Sequence, residues 1–382
     1  MEIYVVRSGD TVDRIAAAYA VSADSIIWNN QLVYPYALAV GQALLIGAPD
    51  GTAGAGLWPA NAGGYAYTYI SPWVLEQTLP FLNRLFVFSY GFTVEGGIID
   101  PPRDDAWMIE RSREHGTVPV LTLTPFGEDG KFNNNLIHQV VTNEAAADRL
   151  LNSLAVLMQE KGYGGIDIDF EYILASDRDA FTAFVRRATQ IMHPLGFSVS
   201  VALAPKTSAE QKGLLYEGKD YAALGDAADE VLLMTYEWGY KNGPPMAVAP
   251  INMVRRVLDY AVTEIEPAKI NIGIANYGYD WPLPFVRGET EARTIGNVEA
   301  VQIAIRYGAE IEFDELAQSP YFSYVDEEGT EHVVWFEDVR SLEQKYALLP
   351  EYGLRGIGVW QIMRWYRAMW LLFEDRLQIG NK

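Results

Sequence analysis

Gly164-Gly165-Ile166-Asp167-Ile168-Asp169-Phe170-Glu171-Tyr172 sets three acids in alternation with apolar residues. Along a β-strand successive side chains point to opposite faces, so Asp167, Asp169 and Glu171 share one face and Ile166, Ile168, Phe170 and Tyr172 the other. On a buried face such a row of carboxylates is costly unless its members are protonated, paired or hydrogen-bonded. The structural alternative is an amphipathic edge strand with a solvated acidic face, and the rest of the chain has to decide between the two.

Short β-branched or aromatic runs recur on both sides of this stretch. They are Tyr65 to Ile70, Leu85 to Tyr90, Val118 to Thr124, Gly165 to Glu171 itself, Phe197 to Ala204, Val231 to Tyr236, Ile270 to Asn276 and Gly356 to Ile362. Helical patterns lie between them, among them Asp104 to His115, Asn143 to Lys161 stopped by Gly162, Asp177 to Leu195 with Ser176 as N-cap, and Ile251 to Ile265. Alternating βα units imply a parallel sheet, and eight of them predict closure into an α/β fold of the (β/α)8 TIM-barrel type, with an open doubly wound sheet as the alternative. The spacing breaks once, between the seventh and eighth strands. There a helix near Ile295 to Tyr307, strand-like pieces at Glu310 to Phe313, Tyr321 to Val325 and His332 to Phe336, and a hairpin turn at Asp326-Glu327-Glu328-Gly329 predict a small α+β insertion at about residues 290–345.

In a barrel of this kind the inward residues at the C-terminal ends of the strands form the active site. The acid row then lies on the fourth strand with Glu171 as its last inward member. Close like charges raise one another's pKa values, which suits a proton-sharing set for general acid–base work.

Residues 1–48 read as a separate module. Ile3 to Val6 is a short strand, Gly9-Asp10-Thr11 a turn that caps a helix carrying Val12, Ile15, Ala16 and Tyr19, and Ser22 the N-cap of a second helix ending at Trp28-Asn29-Asn30. Gly41 to Ile46 closes the order strand, helix, helix, strand. Residues 49–62, Gly/Ala-rich and without periodicity, read as a linker, and residues 63–382 as the barrel domain.

The totals exclude several chemistries. A formal charge of −21 argues against nucleic acid and anionic lipid as partners. The chain has no cysteine, hence no disulfide and no thiolate chemistry. Its four histidines, His115, His138, His193 and His332, are scattered, so no metal is expected. No phosphate-cradling loop or G-x-S-x-G elbow occurs, no cofactor is expected, and no apolar run reaches membrane-spanning length. The N-terminal residues show no Sec-type signal pattern, and synthesis in a cytoplasm is expected.

Two resemblances sharpen this reading. Tyr4-Val5-Val6-Arg7-Ser8-Gly9-Asp10-Thr11, the Asn29-Asn30 pair and Val40-Gly41-Gln42-Ala43-Leu44-Leu45-Ile46 together resemble the LysM domain, a family that binds N-acetylglucosamine chains of peptidoglycan and chitin. The resemblance implies a sugar groove between the Gly9, Asp10, Thr11 loop and the loop before the second strand. In that second loop Tyr34-Pro35-Tyr36 offers rings to stack on sugars, or else packs on the neighbouring domain. In the barrel, Gly165-Ile166-Asp167-Ile168-Asp169-Phe170-Glu171 resembles the D-x-D-x-E signature of glycoside hydrolase family 18. Met234-Thr235-Tyr236-Glu237-Trp238, Tyr277-Gly278-Tyr279-Asp280-Trp281 and Gly358-Val359-Trp360 look like that family's landmarks on strands six, seven and eight.

The LysM pairing, Val334-Trp335-Phe336-Glu337-Asp338 with Arg340-Ser341, and the Met-Thr-Tyr-Glu-Trp form are similar to the spore-cortex-lytic N-acetylglucosaminidases of endospore formers. Two departures stand out: Gly164 occupies the place of an acid that opens the longer family pattern, and there is one LysM module where relatives often carry two. The resemblance implies retaining, substrate-assisted cleavage of N-acetylglucosaminidic bonds in peptidoglycan. Glu171 would be proton donor, Asp169 and Tyr236 partners of the substrate acetamide, Asp167 their support, and Trp360 the floor of the sugar site. Glu237, Tyr277 and Trp281 are further candidates for substrate contact, with packing against the insertion as the alternative for Tyr277 and Trp281. The implied partner is peptidoglycan or another N-acetylglucosamine polymer, the implied location the spore cortex, coat or cell wall, and a monomer is expected. Chitinase is the rival enzyme. A non-catalytic glycan-binding coat protein is the rival from another class, and it fits poorly with the retention of Glu171 together with Asp169.

Overall fold

The computed structural model describes residues 1–47 and 57–380. Most of the proposed linker, residues 49–56, lies outside the described residues. Eight parallel strands form the expected closed barrel: Pro59–Tyr67, Arg84–Phe92, Val118–Leu123, Gly165–Ile168, Ser198–Leu203, Glu230–Leu233, Ile270–Ala275 and Gly356–Trp360. Each strand pairs with its neighbour in sequence, and the first pairs with both the second and the eighth, which closes the ring.

The strand ends differ from the sequence reading in a consistent way. The first strand starts at Pro59, so residues 59–62 belong to the barrel and not to a linker. The fourth ends at Ile168, not Glu171. The Asp169 amide still donates to the Leu123 carbonyl at 3.0 Å, after which the chain leaves the sheet, so Glu171 projects from the strand's exit and not from the strand. The apolar half of the alternation does what periodicity demands. Ile166, Ile168 and Phe170 are fully buried, and Phe170 packs on Phe181 and Phe184 of the helix Arg178–Met192. Each such side chain contributes about 1.5–3 kcal/mol. That helix is capped by Asp177 at the end of a short 3-10 turn, not by Ser176.

The insertion is larger than expected. Its antiparallel sheet places Gly278–Pro282 between Arg293–Ile295 and Glu331–Trp335, followed by Ser319–Val325 and Glu312–Asp314, with the helix Asn297–Tyr307 packed against it. It therefore begins at Gly278, because the chain enters this sheet within three residues of leaving the seventh barrel strand.

The small module has the expected order, Glu2–Val5, Val12–Tyr19, Ala23–Asn29 and Ala43–Ile46. Asn30 ties the end of the second helix to the second strand, accepting from the Leu45 amide at 2.7 Å and donating to the Leu45 carbonyl at 3.0 Å. The module is docked on the barrel and its insertion through fixed polar contacts. Gln31 donates to the Trp365 carbonyl at 3.2 Å and accepts from the Arg367 amide at 2.7 Å. The Ile311 amide donates to the Val40 carbonyl at 2.8 Å. Arg340 donates to the Gly41 carbonyl at 3.1 Å while also holding Asp338, the N-cap of the helix Val339–Tyr352. The Glu337-Asp338 segment is thus a structural hub, and Glu337 itself is buried in a 2.8 Å ion pair with Lys345.

Gly41 is the tightest point of this contact. Its φ is +83°, and a Cβ there would stand 1.8 Å from the Ile311 carbonyl oxygen. Left-handed backbone and a backbone clash both oppose a side chain. Gly41→Ala is expected to lower the unfolding free energy by about 2 kcal/mol or more. Hydrogen exchange should show lost protection at the Ile311 and Arg367 amides, whose acceptors lie on the module. Unchanged protection there would show that the docking does not depend on this approach.

Candidate active site

The mouth of the barrel opens into a cleft of about 520 Å³. Asp169 and Glu171 line it together with Tyr236, Glu237, Tyr277 and Trp360. Five expected site residues and the general acid candidate therefore meet in one place. Asp167 lies beneath them, fully buried, and joins them through the barrel interior.

Each acid has its own surroundings. Asp167 accepts from the Tyr65 hydroxyl at 3.0 Å and from Ser200 Oγ at 2.5 Å. Burial nonetheless pushes its pKa up to about 6, outweighing those two donors. Asp169 is 9 % exposed and its Oδ1 has no hydrogen-bond partner. Burial first, then the charges of Glu171 and Asp167, hold its carboxyl well above the usual range, against an opposing pull from Lys219. Glu171 is raised as well, by burial, and again Lys219 opposes the shift. A carboxylic acid that keeps its proton toward neutral pH is what a general acid needs.

Glu237 sits at φ +67°, a left-handed conformation that carries strain for any side chain but glycine. That conformation presents its carboxylate to two phenols: Tyr277 donates at 2.5 Å and Tyr279 at 2.9 Å. Burial raises its pKa and the two hydroxyls work against the rise. Trp360 forms the aromatic base of the site, with Phe88 edge-on at 4.9 Å and Tyr65 and Tyr67 further along the same wall.

Trp281 is not brought into the cleft. It is fully buried, its indole N–H donating to the Gly243 carbonyl at 2.9 Å, because the strand Gly278–Pro282 turns it into the base of the insertion. Its neighbour on that strand face, Tyr279, takes the place at the cleft. Tyr279 belongs to the same Tyr277-Gly278-Tyr279-Asp280-Trp281 landmark, where residue type alone does not separate it from Trp281. Tyr67, Phe88, Phe132 and Tyr216 also line the cleft, and nothing in their local sequence distinguishes them from core aromatics.

At Gly164, where the longer family pattern has an acid, a Cβ would lie 2.5 Å from Val118 Cγ1. Val118 would have to move before any side chain could enter. Buried charge is found lower in the barrel instead, where Glu230 is held by Arg84 at 2.9 Å and Arg355 at 2.8 Å.

In the small module, Asp10 accepts from the Tyr4 hydroxyl at 2.6 Å and the Arg7 amide at 2.7 Å, and Thr11 caps the helix Val12–Tyr19. Gly9 completes the turn at φ +87°. Tyr34 is 80 % exposed and meets Tyr36 edge-on at 5.7 Å, so it is not packed against the neighbouring domain. Among the described residues no group of His, Cys, Asp and Glu is placed to hold a metal, and no helix is long and apolar enough to cross a membrane.

Known proteins match both parts of this architecture. The profile of glycosyl hydrolases family 18 matches residues 125–364, and that of the LysM domain residues 4–47. The cortical fragment-lytic enzyme of Bacillus subtilis (strain 168) is 35 % identical over 432 residues, an alignment that covers 100 % of this chain and 99 % of that one. The crystal structure of the spore cortex-lytic enzyme SleL of Bacillus megaterium QM B1551 superposes with a TM-score of 0.93 at 32 % identity, covering 100 % of this chain and 99 % of that one. A chitinase from Chromobacterium violaceum ATCC 12472 superposes with a TM-score of 0.76 at 26 % identity, over 84 % of this chain and 99 % of its own. The acids at the barrel mouth, the closed eight-strand fold and these full-length likenesses agree, and the chain belongs to glycosyl hydrolases family 18, a glycosidase with a LysM domain ahead of its barrel.

Proposed function

We propose that this glycosidase cleaves N-acetylglucosaminidic bonds of peptidoglycan, with spore cortex or cortex fragments as substrate, by retaining substrate-assisted catalysis. The observation that carries the reading is Asp169: a buried carboxylate oxygen without a partner, beside a raised Glu171, in a cleft floored by Trp360. An oxygen in that state calls for a donor from the substrate, and an acetamido N–H supplies one.

Glu171 protonates the leaving glycosidic oxygen while the substrate's own acetamido oxygen attacks C1 from the opposite face. The glycosidic bond breaks, an oxazolinium forms, and no enzyme nucleophile is used, one of the exceptions to the two-carboxylate scheme. Asp169 accepts from the acetamido N–H and stabilises the positive ring, and Asp167, itself fixed by the Tyr65 and Ser200 hydroxyls, supports the segment from beneath. Glu171, now ionised, takes a proton from water, whose oxygen bonds to C1 and returns the acetamide with net retention. Tyr236 contacts the acetamide, and Glu237 with Tyr277 and Tyr279 shapes the adjoining wall. The LysM module, with Tyr34 exposed, binds the same polymer, and cortex or cell-wall association follows from that. The cortex as target draws on the names of the full-length relatives.

Mass spectrometry of products from purified cortex and from chitooligosaccharides is the direct test. Release of cortex fragments ending in N-acetylglucosamine is expected, whereas turnover of chitooligosaccharides alone would make the enzyme a chitinase. Glu171→Gln should lower kcat by about 10³-fold with the fold intact. Asp169→Asn should lose nearly as much and Asp167→Asn clearly less. Equal tolerance of all three changes would leave the acid row without a catalytic role.

The same burial makes a stability prediction. Asp167 has an ordinary pKa of 3.8 when unfolded and about 6 when folded, so folding favours its protonated form. Its contribution is fully present below pH 3.8 and is lost as pH rises through about 6. Between pH 4 and pH 8 the wild-type protein should lose about 2.5 kcal/mol of stability relative to Asp167→Asn. Parallel denaturation curves at the two pH values would expose the prediction as wrong if the difference between the proteins stays constant.

A further inference from the structure

The loop between the fifth strand and the helix Tyr221–Ala227 supplies Leu215 and Tyr216 to the cleft wall. Just beyond them Lys219 turns inward and is fully buried. Its Nζ donates to the Glu171 carbonyl oxygen at 2.5 Å and, more distantly, to that of Leu215 at 3.5 Å. Gly218 permits this reach, since a Cβ there would stand 2.4 Å from the Ile173 carbonyl oxygen. Behind Lys219 lies Lys206, also buried, whose Nζ donates to the Lys219 carbonyl at 2.8 Å. An ammonium taken wholly out of water is costly unless charge or hydrogen bonds compensate it, and the acids facing this one are Glu171 and Asp169.

We propose that Lys219 is a positioning residue for the hydrolysis: it pins the backbone where Glu171 leaves the sheet and supplies the buried positive charge that lets Asp169 ionise beside Glu171. The proposal rests on the roles given above to those two acids. Asp169 is faced by Asp167 and Glu171 on its own segment, by Tyr65 and Tyr67 on the first strand, by Tyr236 after the sixth, and by Lys219 from this loop. All but Lys219 are anionic or neutral. At the moment Glu171 gives up its proton, Asp169 must already be charged, and two carboxylates then share one dry site. A buried cation anchored at the Glu171 carbonyl, whose charge acts on both acids, offsets that state. Burial lowers Lys219 to about 8, which still leaves it charged through the neutral range.

Lys219→Met keeps the length and removes the charge. The acidic limb of kcat/KM against pH should move up by about one unit, because Asp169 then loses its proton less readily. A readout independent of substrate is the ¹³C resonance of labelled Asp carboxyls, with Asp169 assigned through Asp169→Asn. Its titration midpoint should rise in Lys219→Met. The chain has no cysteine, so Lys219→Cys would carry a unique thiol, and alkylation with bromoethylamine during refolding rebuilds an ammonium of nearly lysine length. Aminoethylation should return both the limb and the midpoint toward wild type, and this pair gives the same comparison if Lys219→Met does not fold. An Asp169 midpoint unmoved by loss of the charge overturns the proposal, as does activity that falls while the limb stays in place. A wild-type protein inactive on cortex would instead count against the proposed substrate, and the carboxyl midpoint would still decide the role of Lys219.

Discussion

Three carboxylates are held in the mouth of a barrel from which water is largely excluded, and most of what is particular to this protein answers that electrostatic demand. Asp167, deepest of the three, is met by two hydroxyls and feels the Arg84 charge only as a minor pull, so burial prevails and its pKa rises. Asp169 keeps an oxygen unpartnered. Glu171 stands where the chain has already left the sheet and lines the cleft. A barrel built for stability alone would place apolar residues at all three positions. The eight-strand ring, with an apolar layer between strands and helices, tolerates the polar centre because it contributes enough burial elsewhere.

Much of this was legible in the sequence, for a physical reason. Strand alternation and helical periodicity are enforced by burial, so the eight strands, the main helices and the acid face of Gly165–Glu171 could be read from residue type. Strand exits were not legible. Asp169 and Glu171 continue the strand's alternation although the paired register ends at Ile168 and only the Asp169 amide still reaches the sheet, because residue type does not report where pairing stops. Between substrate contact and packing against the insertion, the sequence left Trp281 open for a related reason. A landmark on a strand places two aromatics on the same face, and only the path of the insertion determines that Tyr279 reaches the cleft while Trp281 is buried beneath it. Lys219 carried no signal at all, since a lysine in a polar loop looks solvated until the fold encloses it.

The Val334–Asp338 segment with Arg340 and Ser341 shows how a resemblance can be correct for reasons it does not disclose. In the fold these residues cap a barrel helix, bury an ion pair and reach the small module at Gly41. They join three parts of the molecule, a role for which spacing along the chain gives no hint.

That joint changes what the small module does. A binding module on a slack tether raises the local concentration of substrate over a wide volume and leaves the site of cleavage to chance. Here Gln31, Val40 and Gly41 are fastened to the backbone or side chains of Trp365, Arg367, Ile311 and Arg340, so the separation between grip and blade is fixed. On the roles proposed for the module and the acids, a glycan held by the one would reach the other across a fixed span, because the contacts at Gln31, Val40 and Gly41 set their separation.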